Sequence, residues 1–256
     1  MTQLLDIRNI GKSYGEFRAL TDISFSIHDG ETFAIIGPNG AGKTTLFRVM
    51  TGEVYHNTGS ILFLDQDISN LGADERVRLG LGRTFQIARV FPEFTALSNV
   101  IVAIEARNRH RGNAGGQIMQ IKPAAAVRDE AAHRLASLGL GDNLNTEARH
   151  LSLGDKKRLE LALTLALEPI ILMLDEPTAG MSPTERHSII DLIGEIKAAF
   201  GLTIILTEHD MDFVFSLSKR ILVMNQGQVI MIGSQDELRA SAIVREIYLG
   251  KEMVDA

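Results

Sequence analysis

The sequence predicts an α/β fold: a mostly parallel sheet between helices, an N-terminal antiparallel β subdomain, and an α-helical subdomain inserted in the sheet domain. Three observations carry this. Short, nearly continuous apolar runs, TFAIIG (32–37), IILMLDE (170–176) and LTIILTEH (202–209), have the length and composition of strands covered on both faces. Helical periodicities such as ERHSIIDLIGEIKAAF (185–200) lie between such runs, and β/α alternation builds parallel sheets. From about Ile87 to Ala148 only helical patterns remain.

Each element has its own signal. Residues 3–10 and 20–27 read as strands, with a turn at HDG (28–30). A helix from about Gly42 to Met50 follows the first apolar run, and Gly59–Leu64 reads as another strand. The basic, glycine-rich segment RNRHRGNAGGQ (107–117) reads as a solvated loop. RILVMNQGQVIMIG (220–233) reads as a hairpin turning at Gln226-Gly227. The expected organisation is one domain over 1–256. Residues 1–89 and 151–240 form the core, 90–150 the helical subdomain and 241–256 a C-terminal tail.

Composition narrows the function. A net charge of −6 gives no electrostatic reason to expect nucleic acid as a partner. The absence of cysteine excludes disulfides and thiolate metal sites. The start, MTQLLDIRNIG, has no long apolar run and does not read as a signal peptide. The most apolar stretch, Leu159–Leu174, is interrupted by Glu160, Glu168 and Pro169, which argues against a membrane-spanning helix. A soluble, cytoplasmic chain is expected.

The chemistry is concentrated at strand ends. GPNGAGKT, Gly37 to Thr44, fits G-x-x-x-x-G-K-[ST] between a strand and a helix, where that motif forms a phosphate-binding loop. Gly37, Asn39, Gly40, Ala41, Gly42 and Lys43 would cradle ATP phosphates, the glycines clearing the backbone approach. Lys43 would reach the β- and γ-phosphates, Thr44 would hold Mg²⁺, and Thr45 would add a hydroxyl at the α-phosphate. Asp175, ending a buried strand, is the second candidate Mg²⁺ ligand, and Glu176 the group that polarises an attacking water. His209 ends another strand, on the edge where parallel sheets bind ligands. Two readings stand for LSLGD (151–155). Ser152 and Asp155 fit a helix-capping pattern, whereas Gly154 would let a phosphate approach the helix start.

The ordered set GPNGAGKTT, TFQ (84–86), LSLGD, IILMLDEPTAGMSP and TEHD (207–210) resembles the ATP-binding subunit of an ABC transporter over residues 3–250. The resemblance implies a P-loop NTPase (RecA-like) core that hydrolyses ATP. It also implies that Ser152 and Gly154 contact ATP held by a second ATPase subunit, that Tyr14 stacks on adenine, and that Gln86 links Mg²⁺ and water to a transmembrane permease. GRTFQIARVFPEFTALSNVIVA, LDEPTAGMSPTE and IVREIYLG are similar to branched-chain amino acid importer ATPases of the LivG type. Partners implied are a sister LivF-like subunit or a second copy, permease subunits docking near Val90, Phe91 and Phe94, and indirectly a periplasmic or extracellular solute-binding protein. The expected place is the cytoplasmic face of the inner membrane. The alternatives are a soluble ABC-type regulatory or assembly ATPase and a small-molecule P-loop kinase. Asp155 stands where the family has glutamine, Leu153 where it has glycine, Leu163 where many relatives have arginine, and Ser182 where aspartate or asparagine is usual.

Overall fold

The computed structural model describes residues 2–84, 89–112 and 123–247. Strands β1 (Gln3–Tyr14) and β2 (Phe17–His28) form a hairpin running from Gln3 opposite His28 to Tyr14 opposite Phe17. β3 (Thr32–Ile36) runs into α1 (Lys43–Met50). β4 (Thr58–Phe63) and β5 (Gln66–Asp67) then complete an antiparallel sheet of order β2-β1-β4-β5. Next come α2 (Ala73–Leu79) and the short edge strand β6 (Leu81–Arg83). Helices α3 (Ala96–His110), α4 (Ala125–Ser137) and α5 (Leu153–Ala166) follow with no strand between them among the described residues. The alternation resumes with β7 (Ile171–Asp175), α6 (Pro183–Phe200), β8 (Thr203–Thr207) and α7 (Met211–Leu217). The hairpin β9 (Arg220–Asn225)–β10 (Gln228–Gly233) and helices α8 (Gln235–Ala240) and α9 (Ala242–Ile247) close the described chain.

The second sheet has the order β10-β9-β3-β8-β7-β6 and is parallel except for β10. Strand alternation divides the core in two. Phe33, Ile35, Ile171, Met173, Ile205 and Leu222 face α1 and the antiparallel sheet. Ala34, Ile36, Leu172, Leu174, Ile204 and Ile221 face the helices on the other side. Every residue of β3, β7 and β8 is buried, which is why these strands read as unbroken apolar runs.

The β9–β10 turn also braces the region around β3. Gln226 and Gly227 both have positive φ, and a Cβ on Gly227 would lie 2.5 Å from the Ala19 carbonyl. This close approach lets Gly227 N–H donate to Ala41 O at 2.9 Å, while Thr21 N–H donates to Gly227 O at 2.8 Å.

Two expectations need correction. β1 and β2 extend well past 3–10 and 20–27. Their register shifts at Ile7/Ile10 and Ile10/Lys12 break the apolar alternation that would have marked their length. The stretch from 107 does not begin as a solvated loop either: residues 107–110 are the last turn of α3. Arg107 is largely buried and bridges Glu130 of α4 (2.9 Å) and Glu168 before β7 (2.6 Å). The Arg107 hydrogen bond, joined by Arg134, pulls the Glu130 carboxyl down to about 2.

Candidate functional site

The loop Gly37–Thr44 leaves the carboxyl end of β3 and turns into α1. Gly37 (φ 155°) and Gly42 (φ 101°) sit where an added Cβ would be 2.3 Å from Met224 O and 2.8 Å from Ala19 O, so the turn admits only glycine. α1 begins at Gly42 without a side-chain cap, as do α2 at Gly72 and α4 at Ala124, whereas Thr95, Ser152, Ser182, Asp210 and Ser234 cap α3, α5, α6, α7 and α8. A phosphate satisfies such first-turn N–H groups and gains from the positive helix end. Lys43 is folded over the loop, donating to Gly37 O (2.6 Å) and Pro38 O (3.2 Å). Burial lowers its pKa, against the opposing pull of Glu176 and Asp175. The open cleft above the loop measures about 240 Å³, bordered by Phe17, Asn39, Thr44, Thr45, Glu176 and His209. Pockets that enclose a drug-sized ligand run to about 300–1,000 Å³, so this cleft is open and somewhat smaller.

Facing the loop, the ends of β7 and β8 bring the acidic groups together. Asp175 Oδ1 accepts from the Thr207 hydroxyl at 2.8 Å, and Oδ2 from Arg83 at 2.7 Å. Glu176 adopts φ 47°, unusual for a residue with a Cβ. Its N–H is held by Thr207 O at 3.0 Å, and its carboxylate meets His209 Nε2 at 2.8 Å. The buried Glu208 carboxylate accepts from Thr178 N–H (2.8 Å), Thr178 Oγ1 (2.5 Å) and His209 N–H (3.0 Å). Glu208 therefore fastens the backbone after Glu176 to the turn that carries His209.

The LSLGD segment lies at the start of α5. Ser152 Oγ accepts from Asp155 N–H at 3.1 Å, so the capping half of the pattern is present. The Asp155 carboxylate binds the Ser152 hydroxyl (2.8 Å), not a backbone N–H. Gly154 has no positive φ, and a Cβ there would meet only ordinary contacts, 3.5 Å from Glu185 Oε1 and 4.0 Å from Ser152 Oγ. Nothing in the packing of the described residues requires glycine at 154. Ser182 caps α6 through a reciprocal pairing with Glu185, and Leu163 packs against the helix-side core.

Tyr14 and Phe17 oppose each other at the β1–β2 turn, where directly paired residues share a face of the sheet. Phe17, 67% exposed, borders the cleft, and Lys12 lies over the Tyr14 ring at 5.0 Å. Phe91 and Phe94 are exposed with ring centroids 5.4 Å apart, while Val90 packs on the core. Fully buried Asn99 shapes their turn, accepting from Phe91 N–H at 2.8 Å and donating to Phe91 O at 3.0 Å. Gln86 lies outside the described residues. Sequence reasoning missed Phe17, Arg83, Asn99 and Glu208. Arg83 and Asn99 lie in GRTFQIARVFPEFTALSNVIVA, Glu208 in TEHD, and Phe17 three residues after Tyr14, but those placements assign none of them a role.

A P-loop facing an Asp-Glu pair and a histidine is a nucleotide-hydrolysis arrangement, and the profile of the ABC transporter family matches residues 20–179. The chain belongs to the ABC transporter family. It is an ABC ATPase, a nucleotide-binding P-loop fold of mixed α/β architecture. It is 36% identical over 255 residues to the high-affinity branched-chain amino acid transport ATP-binding protein LivG of Escherichia coli K12, covering 97% of this chain and 98% of LivG. It is likewise 36% identical to BraF of Pseudomonas aeruginosa, of the same description and with the same coverage. Among solved structures, the ADP conformation of MJ1267, an ATP-binding cassette of an ABC transporter, superposes with a TM-score of 0.84. That match has 32% identity and covers 98% of this ABC ATPase and all of MJ1267.

Proposed function

We propose that this chain is the ATP-hydrolysing subunit of an importer for branched-chain amino acids or a related small polar solute. In this reading two ATPase subunits close head to tail, each P-loop presenting ATP to the Ser152–Gly154 segment of the other. The observation that carries it is Gly154. A glycine inside a helix costs up to about 1 kcal/mol relative to alanine, and no contact among the described residues uses that concession at 154. Close approach of a partner's phosphate does use it.

The residues then divide the work. Lys43 exchanges its bonds to Gly37 and Pro38 for the β- and γ-phosphates. Thr45 and the backbone of Asn39, Gly40, Ala41 and Gly42 hold the remaining oxygens. Tyr14, with Phe17 beside it, takes the adenine ring. Thr44 and Asp175 offer oxygen ligands suited to Mg²⁺, with Gln86 as a third. Among the described residues no cluster of three or more acidic or histidine side chains could hold an ion unaided, which fits a metal that arrives with phosphates. Bound there, Mg²⁺ supplies neutralisation of the phosphate oxygens. Glu176 takes a proton from the attacking water as the β–γ bridge breaks to leave ADP and phosphate. His209 holds the Glu176 carboxylate and reaches the γ-phosphate.

Segment 90–150 is read as a lobe that moves against the core of 1–89 and 151–240 on closure, with 241–256 as a tail. The Asn99-shaped turn presents Phe91 and Phe94 to a permease at the cytoplasmic face of the membrane. No described helix is long and apolar enough to cross a bilayer, so attachment is peripheral in this reading. The second ATPase is a LivF-like sister or another copy, and a solute-binding protein feeds the permease.

Lys43→Ala tests this reading. It should weaken ATP binding by about a hundredfold, the weight of two charge-assisted hydrogen bonds. In cells lacking the native gene, wild-type protein should restore uptake of labelled leucine, isoleucine and valine, and Lys43→Ala should not. Uptake of all three that is indifferent to the deletion would refute the branched-chain assignment.

A further inference from the structure

Arg83 stands in the stretch GRTFQIARVF without an assigned role, yet its guanidinium sits between two acidic groups. It ends β6, three residues before Gln86, and its side chain is largely buried. Nη2 donates to Asp175 Oδ2 at 2.7 Å. Nη1 is paired with Glu53 and donates to Thr51 Oγ1 at 3.2 Å. Thr51 and Glu53 lie just beyond the C-terminal end of α1, so one side chain joins the far end of the P-loop helix to the end of β7. The Thr207 hydroxyl occupies the other Asp175 oxygen. The Phe47 ring flanks the guanidinium, its centroid 5.9 Å from Arg83 Cζ.

We propose that Arg83 is a positioning residue that makes metal binding depend on nucleotide. Its charge balances Asp175 and repels a divalent cation, so the carboxylate pair Asp175–Glu176 binds an ion more weakly until phosphates arrive. Glu53 shares the same guanidinium and draws part of that positive charge away from Asp175. The two neighbours therefore act with opposite sign. Loss of Arg83 frees Asp175 for the metal, while loss of the Glu53 charge leaves more of the guanidinium's positive charge acting on Asp175. The proposal rests on Asp175 facing the metal, as in the function proposed above.

The test is Mn²⁺ titration of the full chain, read by electron paramagnetic resonance without nucleotide and again with ATP. Arg83→Gln should bind Mn²⁺ about tenfold more tightly than wild type without nucleotide, because one full positive charge is lost from beside Asp175 Oδ2. Arg83→Lys retains the charge and should stay within about twofold of wild type, although it cannot span both carboxylates. Glu53→Gln should weaken Mn²⁺ binding. Equal affinities for Arg83→Gln and Arg83→Lys would overturn the proposal. Should Arg83→Gln fail to fold, Glu53→Gln decides: unchanged or tighter binding overturns it. Asp175→Asn separates the two claims. If it leaves Mn²⁺ binding to the ATP complex unaltered, the metal reading of Asp175 fails. If it weakens that binding while the Arg83 and Glu53 variants do not differ, only the role of Arg83 fails.

Discussion

Glu176→Gln is expected to lower steady-state ATP hydrolysis by about a thousandfold, within the range lost when a general base is removed, while ATP affinity stays within about twofold of wild type. The asymmetry follows from the geometry. Glu176 borders the cleft but supplies none of the phosphate-loop backbone, so the amide keeps the shape and loses only the proton acceptor. His209 Nε2, 2.8 Å from the carboxylate, can still hydrogen-bond the amide oxygen. The left-handed backbone at 176 is set by Thr207 and, through Thr178, by Glu208, none of which the substitution touches. Single-turnover hydrolysis and equilibrium binding of a fluorescent ATP analogue check both halves. Turnover within a factor of a few of wild type would remove Glu176 from the role of base.

Arg76→Met is expected to cost about 3–5 kcal/mol of folding stability, comparable to breaking a buried charge network. For a chain of this size that lowers Tm by on the order of 10 °C. Arg76 is 1% exposed, and its guanidinium serves five backbone carbonyls. Nη1 reaches Val49 O and Met50 O at 2.8 Å, Nη2 reaches Ile68 O at 2.8 Å and Ser69 O at 3.2 Å, and Nε reaches Leu71 O at 3.0 Å. Val49 and Met50 end α1, so a cation there also opposes the negative helix end. Burial lowers the Arg76 pKa to about 10, which leaves it charged near neutral pH. Methionine fills much of the volume but supplies no donor, stranding those carbonyls in the interior. Gly52 belongs to the same arrangement, since a Cβ there would lie 2.9 Å from Arg76 Nε. Chemical denaturation measures the loss, and a change below about 1 kcal/mol would show that the carbonyls find other donors.

These two sites mark what the sequence can and cannot disclose. The place of Glu176 at the end of a buried strand was legible because it follows a continuous apolar run, and it drew notice only because the same chain carries a P-loop. β3, β7 and β8 were legible through the same kind of run. Arg76 was not, because a charged residue in a short helix ordinarily faces solvent and its carbonyl partners come from two separate segments, 49–50 and 68–71. Arg107 misled in the same direction: its basic neighbourhood reads as a loop, and only the fold brings Glu130 and Glu168 to it. β6 went unread because three residues form a strand only when β7 is there to pair with them. Gly154 was ambiguous in the sequence, where the capping pattern explained its neighbours. The structure sharpens the question by showing room for a side chain at that position.

Sharing of nucleotide between two subunits is most directly tested by sedimentation of the Glu176→Gln protein with saturating ATP and Mg²⁺, alone and mixed with its sister ATPase. The account predicts an ATP-dependent dimer. It also predicts that adding Gly154→Ala, which the chain's own packing accommodates, leaves ATP binding intact and the protein monomeric. A Glu176→Gln chain that stays monomeric in both settings, or a Gly154→Ala chain that associates as readily as its parent, would contradict it.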